Sequence, residues 1–300
     1  VNSGGSMAVS SGGSATSTMV NYGSMWIEGG CVTSTTLNAG SMWVSSGGCA
    51  IATMMNSSGS MWVDGGCVTS TTMNAGDYMY ISNGGSAVST TVNSNGYLGI
   101  ISGGYVTSTT VNAGDMYISC GGSATATTVS AGGRMHISSG GSVNNLQIAK
   151  GAQVILAGGA FLDFRIADQL STTDVQVNDW SLITDKGASY TITVDQNQWN
   201  GVYQLAGGAA NFNKDITIIT VDGITIGTFT DGSGVIAFGD YTYTLGKTEN
   251  GTLTLTVQGG LEPSEVPQGK PVITGGNAIQ IMADGTVKIH TAGGVASPSR

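Results

Sequence analysis

The chain has 300 residues, 49 of them glycine and 4 proline, with 40% apolar and only 9% charged residues. That balance excludes a disordered tail, which lacks apolar surface to bury, and an ordinary globular domain, in which about a quarter of the residues are charged. A formal net charge of −9 with nine basic residues excludes nucleic acid and anionic membrane surfaces as partners, because nothing here would neutralise a phosphate track, and no apolar run reaches the roughly 18 residues of a membrane helix.

The chain opens at Val1 without an initiator methionine or a signal peptide, already in the phase of a repeat, and is expected to be a piece of a longer protein. Gly-Gly pairs recur with first members at Gly12, Gly29, Gly47, Gly65, Gly84, Gly103, Gly121, Gly140 and Gly158, in steps of 17 to 19 residues. Nine units of so short a period predict a solenoid. Each reads as a short alternating strand such as "MWV", the Gly-Gly turn, a Thr-rich strand such as "VTSTTV", and an Asn turn such as "NAG", with no helix signal between. Strands must then pair between successive units, parallel and in register. The expected fold is all-β: a parallel β-solenoid of about nine coils over residues 1–160, a rod of about 40 Å at about 4.8 Å per coil.

Alternation assigns the faces. The pairs before each Gly-Gly, from Met7/Val9 and Met25/Ile27 to Met135/Ile137 and Val154/Leu156, share parity and are expected inside. The residues after the turn (Val32, Ala50, Val68 and their equivalents) and those before each Asn (Leu37, Met55, Met73 and theirs) join them. Asn21, Asn38, Asn56, Asn74, Asn93 and Asn112 mark the other turn, where asparagine tolerates a left-handed backbone and identical amides stack.

Between the core pairs an outward column reads Ala8, Trp26, Trp43, Trp62, Tyr80, Gly99, Tyr117, His136, Ile155. Stacked rings there form a strip able to lie against sugars, with Trp26, Trp43, Trp62, Tyr80 and Tyr117 as candidate glycan-binding residues; the competing reading is that the rings only stabilise the rod. A threonine column, Thr18, Thr35, Thr53, Thr71, Thr90, Thr109 and Thr127, runs beside a second one, Thr16, Thr33, Ile51, Thr69, Val88, Thr107, Thr125. A flat Thr array of this kind is the basis for an ice-binding alternative. Cys31, Cys49 and Cys67 each follow a Gly-Gly pair and should stack at about 4.8 Å, inside the Cα range of disulfides, whereas Cys120 lies at another phase. Their redox state is open.

From about Phe161 the Gly-Gly metre stops. Alternating segments separated by "DG" and "NG" turns predict an antiparallel or mixed β-module over 161–260, suited to capping the open end of the rod. "LEPSEVPQGKP", 261–271, reads as a linker, and the remaining residues to 300 as one hairpin around Asp284-Gly285 or a tail.

The units of residues 1–160, best seen in "VNSGGSMAVSSGGSATST", resemble the AIDA-type repeats of bacterial autotransporter adhesins. The resemblance implies a solenoid passenger displayed outside the cell, at the bacterial surface or outer membrane, serving adhesion, aggregation or biofilm formation. Its partners would be host or matrix glycans, surface receptors, or other copies of the chain. It also implies a glycosyltransferase acting on repeat serines. Carried over, the acceptors are Ser10, Ser45, Ser82, Ser102, Ser119 and Ser138, against which stands the reading that they are plain turn residues. Units two to four are richer in Trp, Met and Cys than that pattern, and no closing translocator barrel is present in the last 40 residues. Catalysis has little to work with: His136 and His290 fall in different modules, acids such as Glu28, Asp64, Asp77 and Asp115 are scattered over turns, and the repeat lacks the calcium-binding "GGxGxDxUx" pattern. The reading is a non-enzymatic segment with no cofactor and no metal.

Overall fold

The computed structural model describes residues 1–167, 169 and 172–260, and beyond them the strands 272–274, 277–281, 287–291 and 294–296. Residues 1–160 form a parallel β-solenoid in which strands pair only with the coils before and after. Met42 stands beside Met25 and Met61, and Cys49 beside Cys31 and Cys67, all in register.

The Gly-Gly pair closes one corner of each coil, and its two glycines do different things. In coils one to eight the first is left-handed, as at Gly47 and Gly103 with φ of 76°, a conformation glycine adopts without strain. The second lies against the preceding coil. A Cβ on Gly104 would sit 2.3 Å from the Ile81 carbonyl oxygen, and one on Gly48 2.4 Å from that of Ile27.

A second corner was hidden inside the Thr-rich segment. Ser17, Ser34, Ala52, Ser70, Ser89, Ser108, Ala126 and Asn145 are all left-handed, with φ between 48° and 57°. Each bends its strand, so a coil has three faces, and each shifts the in–out alternation by one. Val32 is buried, Thr33 half-buried and Ser34 exposed; then Thr35 points inward and Thr36 outward. The column expected to carry Thr35 outward is therefore internal: Thr35, Thr53, Thr71, Thr90, Thr109 and Thr127 are at most 1% exposed, and their hydroxyls have no hydrogen-bond partner. Only Thr18, in the first coil, is partly exposed. This removes the flat Thr array on which the ice-binding reading stood. It also yields an expectation. Thr71→Val deletes an unpartnered buried hydroxyl at nearly constant volume, so thermal unfolding should show no loss, or a gain of up to about 1 kcal/mol; a loss of more than about 1 kcal/mol would mean that the hydroxyl has a partner.

At the third corner the asparagines are not themselves left-handed, contrary to expectation. That conformation falls one or two residues on, at Tyr22, Ala39, Ser57, Gly76, Asn95 and Ala113. The asparagines stay extended because their amides bond along the rod: Asn38 to Asn21 at 2.9 Å, Asn56 to Asn38 at 3.2 Å, Asn74 to Asn56 at 2.8 Å and Asn93 to Asn74 at 3.0 Å. The inward pairs are buried as their parity required, from Met25 and Ile27 at 0% exposure to Val154 and Leu156 at 1% and 0%.

Parallel stacking does not end where the Gly-Gly metre ends. Phe161–Arg165 pairs with Ser142–Ile148 behind it and Ser189–Val194 ahead, which pairs in turn with Ile216–Thr220, all parallel. The sequence hides this because the loops between these strands lengthen, so the period is lost while the register is kept. The antiparallel part begins with the hairpin of Ile216–Thr220 and Thr225–Phe229 and with a four-stranded sheet in the order Gly201–Ala206, Leu253–Gln258, Tyr241–Lys247, Gly234–Phe238. One apolar core runs from Val9 to Val257, and toward this end it turns aromatic, with Trp180, Tyr190 and Phe212 packed edge to face at 4.9 to 5.4 Å. The stretch expected to be a linker, 261–271, lies outside the described residues. The strands after it, from Val272–Thr274 to Gly294–Ala296, form a four-stranded antiparallel sheet, more than the single hairpin expected.

Candidate functional site: an aromatic face beside a serine ridge

The strands before each Gly-Gly corner make one flat face, and parity sends Trp26, Trp43 and Trp62 out from it in register. Their centroids lie 5.1 and 4.9 Å apart, with ring planes within 8° of parallel. Rings this close and parallel must overlap face to face, since flat rings side by side would collide. Each indole therefore covers its neighbour's face, and the edges point to solvent. Such pairs contribute about 0.5–1.5 kcal/mol each beyond area burial. Trp43→Ala breaks both contacts and is expected to lower unfolding stability by about 1–3 kcal/mol while abolishing exciton-coupled indole circular dichroism; Trp26→Ala, which breaks one contact, should keep part of that signal.

The strip changes character after Trp62. Tyr80 leans 5.5 Å from Tyr97, Tyr97 stacks 5.2 Å from Tyr117, and Tyr117 meets His136 at 5.6 Å. Gly99 makes this possible: a Cβ there would lie 2.8 Å from the Tyr80 ring and 3.2 Å from Tyr97. Tyr78 and Tyr97 belong to the next outward column, two residues before Tyr80 and Gly99, and were missed although period-two parity marks them as outward. Tyr78 and Tyr117 are 47% and 39% exposed. Burial, then the neighbouring phenols of Tyr80 and Tyr117, push the Tyr97 hydroxyl up to about 12. At the far end Arg134 and Asp115 approach to 3.4 Å.

The serines fall on the ridge at the Gly-Gly corner, beside this face. Ser10, Ser45, Ser82, Ser119 and Ser138 occupy one position, two residues before the first glycine. Ser102 does not: it stands one residue later, left-handed with φ of 50°, and Ile101 occupies its coil's equivalent place. Ser10 and Ser102 are exposed, and Ser45, Ser82, Ser119 and Ser138 half-buried, while Ser11, Ser46 and Ser139, in Ser102's column, are exposed at the tip.

No protein-family model matches the chain, and no curated protein does. Among solved structures, the chain is similar to a fragment of TibA, an AIDA-like protein, crystallised after hyper-glycosylation catalysed by TibC. Sequence identity is 32%, over 66% of this chain and 78% of that one, with a TM-score of 0.48. The chain belongs to the AIDA-type repeat proteins.

Seen as AIDA-type coils, the nine units bring the candidate residues into two sets. Trp26, Trp43 and Trp62 form one stack, and Tyr80 and Tyr117 are joined through Tyr97 into another. The six serines form two adjacent columns on the ridge. In the post-solenoid part, Asp185 accepts from the Gly187 and Ala188 N–H groups at 2.9 and 3.0 Å and meets Lys214 at 2.9 Å. Burial alone would raise its carboxyl, but these groups outweigh it and hold it below the ordinary value. No described helix is long and apolar enough to cross a membrane.

Proposed function

We propose that the chain is a non-enzymatic, adhesin-like stalk segment displayed at a bacterial cell surface, whose corner serines accept sugars from a glycosyltransferase. The observation that carries this is the ridge itself. Six of the first eight coils, all but the second and fourth, which carry Glu28 and Asp64 there, set exposed or half-buried serines just before the glycine pair, in line along the rod. The 32% identity to a glycosylated TibA fragment supports the same reading. The antiparallel module from about residue 201 would cap the rod's open end.

Intact mass after co-expression with TibC tests the acceptor assignment. Increments of one sugar are expected, and they should fall when Ser10, Ser45, Ser82, Ser102, Ser119 and Ser138 are all changed to alanine. Unchanged increments would move the acceptors elsewhere, with Ser11, Ser46 and Ser139 next in exposure. Display of the chain on non-aggregating bacteria should speed their settling; no change in settling would count against the stalk's adhesive role.

The exposure of Tyr78 and Tyr117 favours a second reading, glycan binding along the aromatic face. The tryptophans cover one another, so in this reading the tyrosines hold the sugar. Glycan-array signal that persists in a Tyr78→Ala/Tyr117→Ala double variant, and in Trp26→Ala/Trp43→Ala/Trp62→Ala, would remove it.

A further inference from the structure

Three thiols occupy one place in three successive coils. Cys31, Cys49 and Cys67 each open the strand after a Gly-Gly corner, Cys49 stands in register with both others, and all three are free and half-buried. Ser14 and Ser86 end the column on either side. In-register parallel strands keep equivalent side chains parallel, so their Cβ atoms are separated by about the strand spacing, about 4.8 Å. A disulfide wants Cβ atoms about 3.8 Å apart, closer than this ladder holds them, although the Cα spacing alone falls in range. A linear sulfur–metal–sulfur unit with bonds of about 2.3 Å spans about 4.6 Å. That span matches the ladder. Among the described residues no three His, Cys, Asp or Glu side chains converge on a metal site, so the tetrahedral geometry of zinc has no place here, whereas thiolates select soft ions such as Cu(I).

We propose that this column binds soft monovalent d10 cations, Cu(I) or Ag(I), in two-coordination between coils: one ion between Cys31 and Cys49, one between Cys49 and Cys67, with Cys49 bridging. Two cations displace three thiol protons, leaving a unit of two metals and three thiolates with a net charge of −1.

The test is anaerobic titration of the reduced protein with Cu(I) buffered by a competing chelator. Two equivalents per chain are expected, and X-ray absorption should show two sulfur neighbours per copper. Cys120→Ser should leave the uptake at two, Cys31→Ser and Cys67→Ser should each leave one, and Cys49→Ser should leave none, since both positions share it. Serine is native to this column at Ser14 and Ser86, so the variants keep the fold, which unchanged far-ultraviolet circular dichroism confirms. Cys49→Ser that binds as much copper as Cys31→Ser would overturn the proposal. So would equal losses from all four single variants, or quantitative air oxidation of the wild type to a disulfide involving Cys49.

Discussion

Gly104→Ala is expected to destabilise the solenoid by at least about 3 kcal/mol, at the top of the range for overpacking, and Gly103→Ala, one residue away, by only about 1 kcal/mol. The added methyl of Gly104→Ala would lie 2.3 Å from the Ile81 carbonyl oxygen and 2.6 Å from its carbon. Both are backbone atoms of the preceding coil, so no rotamer change relieves the clash; the coils themselves must part. Gly103 meets only the Gly84 nitrogen, at 3.8 Å, and is left-handed. The neighbouring positions Asn83, Ser102 and Cys120 show that a Cβ is accepted in that conformation at this corner. Chemical denaturation of the two variants checks the asymmetry. Equal losses would mean that the glycine pair serves backbone angle alone.

Asp77→Ala is expected to cost about 3 kcal/mol, from two N–H groups left without acceptors. Asp77 is fully buried at the third corner, where the neighbouring coils carry Gly59 and Gly96. One carboxylate oxygen accepts from the Gly59 N–H at 2.8 Å and the other from the Asn74 N–H at 2.7 Å, which ties two coils together. Asp77→Asn keeps one acceptor oxygen and should lose less. Burial is the larger influence on this carboxyl and, against those donors, holds it above its ordinary value. A raised value means that the folded state binds the proton more tightly than the unfolded chain does. The resulting stability is fully present below the unfolded value and is lost as pH rises through the folded one. Wild type minus Asp77→Asn stability should therefore fall with rising pH across the carboxylate range; a difference that rises with pH would reverse the assignment.

Wherever strict alternation held, the sequence was enough to place residues. The Met/Val and Met/Ile pairs and the tryptophan column needed only parity and the Gly-Gly metre. The Thr35 column failed for a single physical reason. A left-handed serine in "VTSTT" looks like any strand residue, yet it turns the chain and moves the next threonine from outside to inside. Nothing in the composition of Ser34 or Ser70 announces that conformation, because alanine and asparagine do the same at Ala52 and Asn145. The continuation of the rod past residue 160 was hidden by loop length. Phe161 and Ser189 are register partners 28 residues apart, and a search tuned to steps of 18 or 19 passes over them. In the candidate site, Tyr97 was legible by parity, one outward position before Gly99, but nothing in the sequence shows that the missing Gly99 side chain lets Tyr80 lean across to it.

One coil per unit underlies the aromatic stacks, the serine ridge and the thiol ladder alike. Ser24 and Gln153 stand on one outward column, seven register steps apart through Ser41, Ser60, Tyr78, Tyr97, Asp115 and Arg134. With the native cysteines changed to serine and spin labels at these two sites, pulsed dipolar spectroscopy should give one narrow distance near about 34 Å, seven times the strand spacing. A broad distribution, or a mean displaced from that value by two or more coil spacings, would contradict the register on which the account rests.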